Sequence, residues 1–325
     1  MSTGERPSAL QVPAREIPVP VHLSEAAQGV LAMGLMPSAP DPALDDVAGW
    51  KAKVAATDEG MLPMITAMTA TIEADSSELD VDGVRVYESV PKGFAADDRR
   101  VYLNLHGGAF ISGGGECCRI MGLTALGSSR TRTWSVDYRM PPDHPYPAPL
   151  DDCLTVYRAL LCDHRPEEII VGGGSAGGNL AAAMILKARD EGLPLPAALV
   201  LLTPEVDLTE SGDSTHINMG IDNILTSSLM NANLLYAGGA DLTNPYLSPL
   251  FGDFSKGFPP TLVSSGTRDL FLSNAVRMHR ALRAVGVYAE LHILEAGGHA
   301  GFFGTAPEDA EIAADVRRFI DAHWG

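Results

Sequence analysis

The chain has 325 residues, with 41 acidic side chains against 23 Lys and Arg, a formal net charge of −18. That balance excludes a nucleic-acid binder: counterion release from phosphates needs a basic face, and Lys and Arg cluster along this sequence only as pairs such as Arg317-Arg318. A hydrophobic content of 46% excludes disorder of the whole chain and is enough for a large core.

At roughly 150 residues per domain, two domains are an upper bound, because one α/β sheet often organises 250 residues or more. The stretch Met1 to Arg15 is polar, and no apolar run reaches signal-peptide or membrane-span length. The expectation is a soluble, cytoplasmic protein with no membrane partner. Cys117-Cys118, Cys153 and Cys162 form neither a C-x-x-C pattern nor a zinc-ligand spacing and are read as reduced thiols. The nine histidines include no H-E-x-x-H, so no metal is expected.

In chain order, Leu23 to Leu35 and Pro42 to Ile72 read as helices before any strong strand. From about residue 100, apolar runs alternate with helical patterns. The strands are expected at Val101 to Leu105, Thr133 to Tyr138, Ile169 to Val171, Ala198 to Leu202, Thr261 to Ser265 and Glu290 to Leu294. Helical spacing joins Ala176, Leu180, Met184 and Ala188, and again Leu272, Val276, His279 and Leu282, with Gly286 as a stop. This alternation implies an α/β fold, a mostly parallel sheet with helices on both faces. The stretch from Pro204 to Pro245, with a helix expected at Thr226 to Tyr236, has no strand of its own. It is expected to meet the N-terminal helices as a cap over one end of the sheet. The division is then residues 1–75 as cap helices, 76–203 and 246–325 as core, and 204–245 as a cap insertion.

Gly173-Gly174-Ser175-Ala176-Gly177 matches G-x-S-x-G at a strand-to-helix junction, the setting that exposes a serine Oγ on a tight turn. Gly172, Gly174 and Gly177 also satisfy the G-x-G-x-x-G of a dinucleotide-binding oxidoreductase. That reading needs an acid about 20 residues on, whereas the nearest strand-end acid, Glu205, lies 28 residues past Gly177. A serine hydroxyl also needs a base. In the order Ser, acid, His, the strand ends supply Asp269 and His299, the latter in a glycine-rich loop suited to an exposed imidazole. Glu295, four residues before His299, is the competing acid, and Asp253 and Asp241 read as surface carboxylates. Upstream, His106-Gly107-Gly108-Ala109-Phe110 follows a strand. The N–H groups of Gly107 and Gly108, with that of Ala176, can stabilise an oxyanion. His106 is expected to fix the loop's shape.

Taken together, His106 to Ala109, Asp137-Tyr-Arg-Met-Pro-Pro-Asp-His-Pro-Tyr-Pro-Ala-Pro-Leu-Asp-Asp152 and Gly173 to Leu180 resemble the hormone-sensitive-lipase-like (bacterial family IV) esterases of the α/β-hydrolase fold, over roughly residues 75 to 325. The resemblance implies a helical cap and hydrolysis of short- to medium-chain acyl esters through an acyl-enzyme, without a cofactor. Two positions depart from the family pattern: Ala109 replaces its third glycine, and Gly174 its common Asp. Thr203 to Leu208 and Ser265 to Ser273 look like the branch containing monoterpene ε-lactone hydrolases, so a lactone is the alternative substrate. Amide hydrolysis would use the same machinery. Plant gibberellin receptors resemble the family yet only bind their ligand; they lack the catalytic His, which stands here as His299. Phe110 and the loop to Cys118 are expected to shape the substrate pocket, with Cys117 and Cys118 read as buried packing. The edge strand near Glu290 to Leu294 could pair between two copies as a homodimer.

Overall fold

The computed structural model describes residues 9–324; Met1 to Ser8, the start of the expected cap segment, lie outside the described residues, as does Gly325. Helices α1 (Glu25–Ala32) and α2 (Val47–Thr69) come first. Both begin at side-chain caps: Ser24 Oγ accepts the N–H of Ala27, and Asp46 accepts that of Gly49. The Asp46 cap explains why α2 starts at Val47 and not at Pro42.

Strands β1 (Ala74–Val81) and β2 (Val84–Pro91) form an antiparallel hairpin absent from the expected elements. Its turn is Asp82-Gly83, both at positive φ, 51° and 86°, as a two-residue primed turn demands. There follow β3 (Val101–Leu105), α3 (Glu116–Ser129), β4 (Arg132–Asp137), α4 (Ala148–Asp163), β5 (Ile169–Gly174), α5 (Ala176–Asp190) and β6 (Ala198–Leu202). After the insertion, with α6 (Asp213–Ile217) and α7 (Met230–Ala237), come β7 (Thr261–Gly266), α8 (Leu272–Ala284), β8 (Ala289–Leu294) and α9 (Pro307–His323).

The eight strands lie in the order β1-β2-β4-β3-β5-β6-β7-β8, parallel from β4 to β8 and antiparallel at the hairpin edge. Alternate side chains of the central strands feed two cores. Leu103, Val171, Leu199 and Leu201 pack with α4, α5 and α8, whereas Tyr102, Ile170, Val200 and Leu262 pack with Val316, Phe319 and Ile320 of α9. Burial on both faces is why these strands read as continuous apolar runs. The expected helix at Thr226 begins only at Met230, because the Glu210 carboxylate binds the Ser228 hydroxyl and the Leu229 N–H and holds that stretch as a loop.

The two helical pieces outside the alternation touch. Trp50 of α2 is fully buried against Ile111 and Ala232, with Leu235 packed on the same cluster. Helix α2 also packs along α3 through Ile65, Cys117 and Ile120. Among the described residues no helix is long and apolar enough to cross a membrane.

Candidate active site

Ser175, Asp269 and His299 follow the carboxyl ends of β5, β7 and β8, and His106 follows β3, so all four lie at one end of the sheet. Ser175 sits between β5 and α5 at φ 55°, ψ −123°, a strained conformation for a non-glycine residue. Its N–H is held by Leu202 O at 2.9 Å. This turn works only because Gly177 has no side chain: a Cβ there would overlap the carbonyls of Leu105 and His106. Gly174 is different, since a Cβ would meet nothing closer than Leu202 O at 3.7 Å. The family's common Asp would start from an ordinary van der Waals contact with Leu202.

His299 Nδ1 lies 3.1 Å from Asp269 Oδ1. Asp269 is fully buried and also accepts from Ser265 Oγ at 2.6 Å and from Phe271 N–H at 2.9 Å. A carboxylate accepts only, so His299 Nδ1 carries the hydrogen and Nε2 holds the lone pair. The expected exposed imidazole is not found: His299 is 9% exposed and edge-on to Phe271, because the loop folds back over the acid turn. Burial depresses its pKa, but the hydrogen bond and charge of Asp269, helped by Asp222, outweigh it, and the net shift is upward from 6.5. Glu295, Asp253 and Asp241 are exposed, which leaves Asp269 as the carboxylate on His299. Ser175 is not hydrogen bonded to His299.

Gly107 lies against the elbow: a Cβ there would sit 3.1 Å from Gly174 O and 3.4 Å from Ser175 Cβ. Gly108 turns at φ 122°, and Ala109 and Phe110 continue at 52° and 64°. Ala109 therefore occupies a left-handed position, which explains why glycine suits it and why alanine is tolerated only under strain. Ser112 N–H and Ser112 Oγ both donate to Gly108 O. Asp58 of α2, which the sequence reading passed over, accepts the N–H of Gly113 at 2.8 Å. Burial raises the pKa of Asp58, against that hydrogen bond.

Phe110 was expected to line the substrate pocket. It is fully buried, stacked on Tyr236 of α7 at 4.1 Å, and offers no surface to a substrate; with its backbone in the left-handed region the ring points into the packing between loop and helix. His106 is 2% exposed, stacked on Tyr138 at 4.0 Å, with Nδ1 2.8 Å from Gly107 O. Burial lowers its pKa to about 4, against the Gly107 bond and the Asp137 charge. It stays neutral and shapes the loop. Cys117 and Cys118 are buried. His106, Cys118 and Asp137 bring one ligand atom each within 4.8 Å of one another. Burial holds the Cys118 thiol well above its ordinary pKa, and Asp137 already accepts the Gly115 N–H, so a metal there would have to displace a proton in a dry setting. The rival glycine reading fails at its acid: Glu205 is buried against Asn233 of α7.

Residues 102–303 match the family described as having an alpha/beta hydrolase fold. The chain belongs to that family. An esterase of Acinetobacter venetianus is 31% identical over 229 residues, covering 69% of this chain and 75% of that protein. Among solved structures, esterase E25 superposes with a TM-score of 0.88 at 35% identity, over 98% of this chain and all of the other. An esterase from the bacterial hormone-sensitive lipase family gives 0.75 at 31%, over 89% and 100%. The chain is a carboxylic ester hydrolase of the hormone-sensitive-lipase-like group, acting on small-molecule esters.

Proposed function

We propose that Ser175 is the nucleophile, His299 its base and Asp269 the acid that orients the base. The 3.1 Å hydrogen bond between His299 Nδ1 and the buried Asp269 carries this reading, because it fixes the tautomer that leaves Nε2 basic. Ser175 Oγ attacks the ester carbonyl while Nε2 takes its proton. The N–H groups of Gly107, Gly108 and Ala176 hold the oxyanion, that of Ala176 at the positive end of α5. The imidazolium then protonates the departing alkoxide and leaves an acyl-serine. Water, deprotonated by His299, releases the acid and restores Ser175. No cofactor or metal enters the scheme.

The cap in this reading is α1, α2 and residues 204–245, a division supported by the packing of Trp50 on Ala232. Short to medium acyl chains are the proposed substrates. Phe110, wholly buried, serves packing and not substrate contact. A homodimer through the open edge of β8 is the proposed assembly, and light scattering should return twice 34.3 kDa. A cytoplasmic location accords with four unpaired cysteines, and cell fractionation tests it.

The decisive assay is a p-nitrophenyl ester series from acetate to palmitate, with ε-caprolactone alongside, on wild type and Ser175→Ala. Short esters should be hydrolysed and Ser175→Ala should lose at least about 10³-fold in kcat. A variant matching wild type would end the reading. A lactone rate exceeding that of every ester would move the substrate class to lactones.

A further inference from the structure

We propose that Asp222, in the insertion after β6, is a positioning residue for the triad, setting the His299 loop and the Asp269 turn relative to one another. This rests on the triad reading above.

Asp222 is fully buried, and its two oxygens are completely used. Oδ2 accepts the N–H of Leu270, the residue after Asp269, at 2.9 Å and the N–H of His299 itself at 3.1 Å. Oδ1 accepts the N–H groups of Ile224 and Leu225 at 2.9 and 3.1 Å, tying the carboxylate to its own turn. One oxygen thus joins the backbones of both segments that carry the acid and the base. All four partners are donors, and only a carboxylate presents two acceptor oxygens without a donor. An Asn would turn its NH2 toward one pair of N–H groups and lose both bonds of that pair.

The surroundings point the same way. Ser214, Asn218 and Asp222, spaced four apart, all engage the acid turn: Ser214 Oγ donates to Leu270 O at 2.8 Å, and Asn218 Nδ2 donates to Asp269 O at 2.8 Å. Only Asp222 of the three reaches on to His299. The other side of the contact is Gly298, where a Cβ would lie 2.5 Å from Asn223 Oδ1 and 3.2 Å from Asp222 Oδ1. The backbone of the His loop packs there directly on the side chains of Asn223 and Asp222, so a side chain at 298 would have to displace them. The charged groups facing His299 are Asp269 and Asp222, so the second carboxylate also stabilises the imidazolium. This part of the insertion is a brace for the catalytic loops as well as cover.

The test is steady-state kinetics of the full chain on p-nitrophenyl butyrate, from pH 5 to 9, for Asp222→Asn and Gly298→Ala. Misplacing a catalytic group by an ångström costs on the order of 100-fold. Both variants should therefore lose up to about 100-fold in kcat, with KM little changed. In Asp222→Asn the acid limb of kcat/KM should also move to lower pH, because a negative charge near His299 is gone; in Gly298→Ala, which keeps the charge, it should not. Wild-type kcat in a folded variant, or an unmoved limb in Asp222→Asn, overturns the proposal. Should Asp222→Asn not fold, Gly298→Ala decides by its kcat. Ser175→Ala and Asp269→Asn run alongside: activity retained in those two would sink the triad reading, whereas their loss beside unaffected Asp222 and Gly298 variants would sink only the positioning role.

Discussion

Glu205→Gln should make the protein more stable than wild type by a margin that is small near pH 4.5 and widens as the pH rises to alkaline values. Glu205 is fully buried two residues before Asp207, with Oε1 accepting from Asn233 Nδ2 at 2.8 Å. Its Oε2 has no partner among the described residues, nor do Asn179 Oδ1, Asn233 Oδ1 and Tyr236 OH. Burial pushes its pKa from 4.5 to about 8; the Asn233 bond opposes this, and Glu210 and Asp207 add to it. A carboxylate whose folded pKa is raised favours folding while protonated. That contribution is complete below pH 4.5 and is lost as pH climbs toward 8. With about 1.36 kcal/mol for each unit between the two values, ionisation costs roughly 2 kcal/mol at pH 6 and between 4 and 5 at pH 9, an order-of-magnitude figure. Glutamine cannot ionise, so the stability difference between variant and wild type should grow by about 2 to 3 kcal/mol from pH 6 to pH 9. Urea unfolding followed by tryptophan fluorescence at each pH measures it. A difference independent of pH would refute the reasoning, because it would mean that Glu205 is charged in the fold at neutral pH or meets water there.

Three further outcomes follow from the geometry. Gly174→Ala should fold and hydrolyse esters as wild type does, and gain about 0.4 to 1 kcal/mol, since a Cβ meets nothing closer than 3.7 Å and the unfolded chain loses freedom; thermal melting checks it. Trp50→Ala removes a fully buried ring whose Nε1 donates to Ala43 O at 3.0 Å, and should cost about 3 to 5 kcal/mol in chemical denaturation. The acid limb of kcat/KM in wild type should have its midpoint above pH 6.5, because Asp269 and Asp222 hold the His299 proton more tightly than burial repels it; a midpoint below 6.5 contradicts that balance.

The parallel half of the fold was legible because its strands are buried on both faces. Val101 to Leu105 and Ala198 to Leu202 are apolar from end to end or nearly so, and both sets of bounds coincide with the strands found. β5 was read only to Val171, since the three glycines that end it carry no hydrophobic signal. The β1–β2 hairpin was missed for the opposite reason. β1 is an edge strand of sequence Ala-Asp-Ser-Ser-Glu-Leu-Asp-Val, mostly exposed, and only the Asp82-Gly83 turn betrayed it. Ser175, Asp269 and His299 could be picked out because each follows a strand in a fixed order. Ser265 was within reach, as one of two serines closing an apolar strand. Asp222 and Asp58 were not: their partners are backbone N–H groups 48, 55 and 77 residues away, and no pattern along the chain announces such contacts. Phe110 shows the converse, a large apolar residue beside the oxyanion loop whose direction is set by a φ of 64°.

The most direct test of the account is to inactivate the full chain with a serine-directed sulfonyl fluoride and map the adduct by peptide mass spectrometry. The proposed mechanism predicts one adduct per chain, on Ser175, formed in step with the loss of esterase activity and absent from His299→Ala, whose serine has no base. Complete inactivation with Ser175 unmodified, or labelling of Ser175 that leaves activity intact, would contradict it.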